Sequence, residues 1–131
     1  MAEAFRKRFE IPDETRIVPK AFVEILNLGD VTAMRATYEP GWKWSVHLKP
    51  IVGTEWCEVN HIGYMISGSL VVKMIDGTEI TINAGDAVSI PPGHDAWVAG
   101  NGPCVFIDFH SAAHYAKRKE PEANIQTSGT A

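Results

Sequence analysis

The side chains in this sequence that could hold a metal or anchor a ligand fall mostly between positions 42 and 97. His47, His61 and His94 offer imidazole nitrogens, and Cys57 offers a thiol. Cys57 stands four residues before His61 and has the same strand parity, yet a straight strand would hold the two about 13 Å apart. If the segment 50–60 folds back through Gly53-Thr54, the Cys57 thiolate can join three histidines in a set that zinc accepts. Otherwise Cys57 is a small buried apolar residue. Lys49 has three donors and no lone pair, so while protonated it cannot ligate a metal. It either anchors a carboxylate or phosphate of a ligand or runs its stem to water at a strand end. His110 and His114 follow the last apolar run and read as surface residues.

Such groups need a scaffold, and the sequence between Gly63 and Trp97 reads as short strands separated by turns. The runs Tyr64–Ile66, Leu70–Ile75, Ile80–Ile82 and Ala87–Ile90 are divided by Ser67-Gly68, Asp76-Gly77 and Ala84-Gly85-Asp86. Asp76-Gly77 suits the positive φ of a two-residue hairpin turn. Pro91-Pro92-Gly93 ends the ladder, because two successive residues lack the N–H that a central strand would donate. Upstream, Ala21–Leu28 and Val31–Glu39 read as strands joined at Gly29-Asp30, and Trp42–Leu48 as a strand that carries His47. Ala96–Val98 and Cys104–Phe109 complete about nine strands. Strand spacing with almost no helical periodicity indicates an all-β barrel or sandwich.

The chain of 131 residues fits one domain: an arm over 1–20, a barrel over 21–110 and a polar tail over 111–131. The arm is expected over the barrel, over a partner subunit or as a frayed end; the tail as disordered after one short helix at Ala112–Lys119. Net charge is −4, and the short basic clusters at Arg6-Lys7-Arg8 and Lys117-Arg118-Lys119 lie near the ends, which argues against a nucleic-acid partner. No apolar run approaches membrane-spanning length, so no membrane partner is expected and the protein is read as cytoplasmic. Two cysteines are too few for a disulfide framework.

The pattern Gly41, His47, Gly68 followed by Gly85, Pro91, Gly93 resembles the two motifs of the cupin superfamily. The resemblance covers residues 40–97 and implies a double-stranded β-helix, or jelly-roll barrel, in a single domain that commonly forms homodimers. His47 falls where the family places its first histidine ligand, and Lys49 replaces the second. His61 occupies the place of the family's glutamate and suits zinc, nickel, copper or iron. Gly63 and Met65 share the face of His61; Gly63 would leave room beside the site and Met65 would wall it. The last ligand position is Ala96, while His94 lies roughly 6 to 7 Å away along an extended strand. His94 therefore joins the site only if the loop or the metal shifts; otherwise His94-Asp95 is a rim pair. Trp42 and Trp44, opposite His47, are expected to pack between sheets or subunits, and Trp56 and Trp97 to line the pocket rim. The expected function is binding of a small polar or anionic metabolite in the central pocket, with a divalent metal (zinc, nickel, iron or manganese) on His47 and His61. The alternative is a metal-dependent enzyme of dioxygenase, isomerase or lyase type on a small anionic substrate.

Overall fold

A computed structural model describes residues 3–110 and 115–117. The strands are β1 (Glu14–Val18), β2 (Ala21–Leu28), β3 (Val31–Tyr38), β4 (His61–Ser67), β5 (Ser69–Met74), β6 (Glu79–Asn83), β7 (Ala87–Ile90), β8 (His94–Ala99) and β9 (Cys104–Asp108). They form two antiparallel sheets, one ordered β1-β2-β3-β9-β4-β7 and the other β6-β5-β8. Strand parity decides what lies between the sheets. Met34, Ala36 and Tyr38 of β3, Cys104, Phe106 and Asp108 of β9, and His94, Ala96 and Val98 of β8 all point inward and are buried. Leu70, Val72, Ile82 and Ile90 fill the remaining interior.

Two glycines let strands approach closely. A Cβ on Gly63 would lie 2.0 Å from the Ile107 carbonyl oxygen, so only glycine lets β9 pack against β4 there. Gly68 has φ +81°, and its Cβ would sit 2.4 Å from the Pro103 carbonyl oxygen. Gly63 pairs with Asp108, which sets the height of that carboxylate beside β4. The space that Gly63 leaves is thus filled by the neighbouring strand and not by the site.

The segment expected as a strand over Trp42–Leu48 is instead helical: α1 spans Trp44–His47 and α2 spans Lys49–Val52. Trp44 and Leu48, four residues apart, are both buried while Val46 is exposed, a spacing that a helix satisfies and a strand does not. The carboxylate of Asp95 accepts from the Ser45 N–H at 3.0 Å and holds α1 to β8. Pro50 is accommodated in the first turn of α2, and Gly53 closes it in a left-handed conformation, its N–H donating to the Lys49 carbonyl.

Sheet structure begins inside the expected arm, since β1 pairs with β2 from Glu14 to Val18. The residues before it lie against the outer face of β2 and β3. Arg35 makes a two-pronged pair with Glu24 at 2.7 and 2.9 Å, reaches Glu10 at 3.1 Å and lies 5.2 Å over the Phe9 ring. The helix expected at Ala112–Lys119 lies outside the described residues except for 115–117, which include a turn.

Candidate metal centre

Strands β4 and β8 bring His61 and His94 together inside the barrel, edge to face at 64° with ring centroids 5.3 Å apart. Cys57 reaches them because the chain before β4 bends back and forms an isolated bridge with the start of β8. In that bridge the Cys57 N–H donates to the His94 carbonyl at 2.8 Å, and the Gly93 N–H donates to the Cys57 carbonyl at 2.8 Å. One donor atom from each of Cys57, His61 and His94 lies within 4.8 Å of the other two, and all three residues are buried. The Cys57 Sγ stands 3.9 Å from His61 Nε2. Ligand atoms around a tetrahedral zinc lie roughly 3.3–3.6 Å apart, so a shift of a few tenths of an ångström brings this pair to bonding geometry.

Neighbouring acceptors orient both imidazoles. His61 Nδ1 lies 2.7 Å from a carboxylate oxygen of Asp108, which accepts its proton and leaves Nε2 with a lone pair towards Cys57. His94 Nδ1 donates to the Pro91 carbonyl at 2.8 Å, which likewise leaves its Nε2 unprotonated. A carboxylate or carbonyl behind a ligating imidazole fixes its tautomer and raises its basicity. The other Asp108 oxygen accepts from the His110 N–H at 2.7 Å, so the carboxylate spans from the cluster to the barrel edge. Burial, helped by the neighbouring His61, pulls the His94 pKa down to about 4 and keeps the ring neutral. Burial also pushes the Cys57 thiol up to about 12, so a metal would bind there by displacing its proton.

The interior cavity holding these residues measures about 20 Å³ and is also lined by Tyr38, Trp42, Phe106 and Tyr115. That is room for one water molecule. A larger groove of about 380 Å³ opens at the barrel edge between Trp44, Val52, Glu58, Asn60, His110 and Lys117. Trp44, Cys57 and Tyr115 belong to both walls, so the groove adjoins the cluster. Tyr115 packs on His61 at 5.1 Å between ring centroids, and its hydroxyl shares a hydrogen bond of 2.6 Å with the Tyr38 hydroxyl. Burial raises the pKa of both phenols well above the ordinary tyrosine value.

Residues 35–110 match the cupin domain family, more than half of the 131-residue chain. The chain belongs to the cupin family. No curated protein matches it. Among solved structures, KdgF from Halomonas sp. aligns with a TM-score of 0.58 at 23% identity, over 84% of this chain and 94% of its own. A cupin-like protein from Thermotoga maritima aligns with a TM-score of 0.52 at 19% identity, over 72% and 70%. The oxalate decarboxylase–formate complex from Lactobacillus farciminis aligns with a TM-score of 0.60 at 20% identity, over 95% of this chain but 36% of its own. These likenesses carry the fold, an all-β jelly roll.

Within this cupin the residues expected at the site separate into two groups. His61, His94 and Cys57 come together, whereas His47 does not join them. The turn into α1 places the His47 Nδ1 3.0 Å from the backbone N–H of Lys43, and the ring is not part of the interior wall. Lys49 points to the surface and faces Glu55 at 3.5 Å, so it anchors nothing inside the barrel. Met65 is fully buried but does not line the cavity. Trp56 and Trp97 line neither the cavity nor the edge groove; Trp97 lies under the Lys43 ammonium at 5.0 Å. Trp42 and Trp44, expected to pack between sheets or subunits, are buried in the core and also wall the cavity. The rim pair drawn for His94 and Asp95 is absent, because Asp95 caps α1 and Pro91 orients His94.

Asp108, Tyr38 and Tyr115 escaped the sequence reading. Asp108 left a signal: it is a carboxylate on the inward parity of an otherwise apolar last strand, in step with Cys104 and Phe106. Tyr38 ends the inward row of β3 and reads as core, and Tyr115 lies beyond the barrel in sequence.

Proposed function

We propose that this cupin binds a divalent transition metal through Cys57, His61 and His94 and takes a small polar ligand in the groove beside it. The observation that carries the reading is the pair of imidazoles whose Nδ1 protons are already committed, to Asp108 at 2.7 Å and Pro91 at 2.8 Å, with a thiol 3.9 Å from the first ring. One thiolate and two imidazoles favour zinc, iron, nickel or copper over manganese, whose preference is for oxygen. Three protein ligands leave a coordination position open, as catalytic metal sites do.

A metabolite-sized ligand needs the 380 Å³ groove, since the central cavity of about 20 Å³ takes a single small group. Glu58, Asn60, His110 and Lys117 give that groove both donors and acceptors. A bound metal would supply Lewis acidity at the floor of the groove. The chain itself would exclude bulk water through Trp44 and Tyr115 and hold the His61 proton on Nδ1 through Asp108. The open position also supports the second reading, a metal-dependent enzyme acting on a small anionic substrate. We place the protein in the cytoplasm and assign it a homodimeric state through the outer face of the larger sheet, where Ile62, Tyr64 and Ile66 are about half exposed.

Metal analysis of tag-free protein tests the centre. Stoichiometric metal in the wild type and in His47→Ala, lost in Cys57→Ser, His61→Ala and His94→Ala, is the expected pattern. A metal-free wild type, or metal lost with His47 alone, overturns it.

A further inference from the structure

Trp42 is 2% exposed and belongs to the wall of the small interior cavity. Its indole Nε1–H is the one buried side-chain polar atom left without a hydrogen-bond partner among the described residues. A buried donor with no acceptor is costly to leave unpaired, so such a group is retained where something else satisfies it. The ring is held in place by Tyr38, 4.2 Å away between centroids, and by the backbone bridge in which the Val98 N–H donates to the Trp42 carbonyl at 3.0 Å.

The Tyr38–Tyr115 pair adds a second donor to the same cavity. Two hydroxyls carry two protons, and their mutual hydrogen bond of 2.6 Å uses one. One O–H therefore remains to be placed, whichever phenol it belongs to. The opposite wall is formed by Cys57, His61 and His94, and the space between admits one atom of water size.

We propose that the Trp42 indole N–H and the remaining O–H of the Tyr38–Tyr115 pair form a donor cradle for a single anionic oxygen bound next to the Cys57–His61–His94 centre. This rests on the metal reading given above. The ligand class is an oxygen anion small enough for the cavity: hydroxide, or one oxygen of a carboxylate or enolate whose remainder lies towards the groove. Donors fixed in a closed, water-poor space stabilise such a charge more than water does, because they need no reorganisation. An acceptor-lined or wholly apolar cavity would select a neutral or cationic guest; here, once a metal takes the Nε2 lone pairs of His61 and His94 and the Cys57 sulfur, the two groups left over are donors.

Cobalt-substituted full-length protein tests the cradle through the visible absorption of the metal, titrated against pH and against formate. Trp42→Phe keeps an aromatic ring at the position and removes the N–H. It should make the cobalt-bound water about ten- to a hundredfold less acidic and weaken formate to a similar degree, with cobalt stoichiometry unchanged. Unchanged acidity and formate affinity in a folded, cobalt-loaded Trp42→Phe overturn the cradle while leaving the metal centre standing. A wild type that gives no cobalt spectrum removes the centre and the cradle together. Should Trp42→Phe fail to fold, ¹⁵N-indole-labelled, zinc-loaded wild type provides the measurement. The Trp42 N–H resonance should move downfield as formate is added; a stationary resonance under saturating formate overturns the proposal.

Discussion

Replacing Asp108 by asparagine changes little in shape and much in hydrogen bonding. Asp108 is fully buried, and its two oxygens accept, one from His61 Nδ1–H and the other from the His110 N–H, each at 2.7 Å. Asparagine offers one oxygen and one NH₂, so one of those donors must face another donor. The cost of such a conflict is about 1–3 kcal/mol of folding stability, or a fall of several degrees in Tm. If the amide oxygen stays with His61, the ring keeps its tautomer but loses the negative charge that raises its basicity. Losing that kind of support behind a metal-bound histidine weakens metal binding about 10- to 100-fold, equivalent to about 1.4–2.7 kcal/mol. Competition against a chromogenic chelator measures the affinity, and melting curves with and without chelator separate it from the loss of apo stability. Metal affinity within twofold of wild type, alongside a lowered apo Tm, would show that Asp108 serves the fold alone and refute its role behind His61.

Gly63→Ala would set a Cβ 2.0 Å from the Ile107 carbonyl oxygen and 2.8 Å from Phe106 Cζ, prising β9 from β4. Chemical denaturation should show a loss of about 2 kcal/mol or more, together with reduced metal content because Asp108 moves with β9. In metal-free protein, His94 has its pKa depressed from 6.5 to about 4, so the unfolded chain binds the extra proton first and stability falls as pH drops through that interval. The loss should reach about 3 kcal/mol between pH 7 and pH 4 and be absent in His94→Gln; equal slopes in both proteins would count against it. For the proposed homodimer, Tyr64→Lys together with Ile66→Glu should convert a dimer into a folded monomer by light scattering, and an unaltered mass would place the interface elsewhere.

Much of this barrel is legible from one-dimensional rules. Asp76-Gly77 falls in the β5–β6 turn, although the loop is longer than the two residues expected and Gly77 alone takes a positive φ, its N–H donating to the Met74 carbonyl. Pro91-Pro92-Gly93 precedes β8, and Ala87–Ile90 forms β7 with the bounds the sequence indicates. These succeed because turn chemistry and period-two alternation are local, and each strand carries its own signal. His61 is recognisable by its place in the cupin pattern, whereas Cys57 is brought in by the fold-back that bridges it to His94. The segment 42–52 misleads because Trp42, Trp44 and Leu48 share one strand parity, while Trp44 and Leu48 are equally one helical turn apart; only the exposure of Val46, of the same parity, tells the helix from the strand. Choosing the helix carries His47 and Lys49 out of the interior.

What the sequence alone determined is the class of fold, the strands from Ala21 to Tyr38 and from His61 onward, and the place of His61 on an inward-facing position. Only the tertiary structure decided which donors meet. The bridge between Cys57 and His94 spans 37 positions of sequence by simple subtraction of their numbers, and no local pattern encodes it. The same holds for Asp108 behind His61 and for the Tyr38–Tyr115 contact over the cavity. Strand parity says which side of a sheet a residue faces, but the height at which two inward residues meet depends on register between distant strands, and that is settled by packing, here by the bare backbone of Gly63 against Ile107.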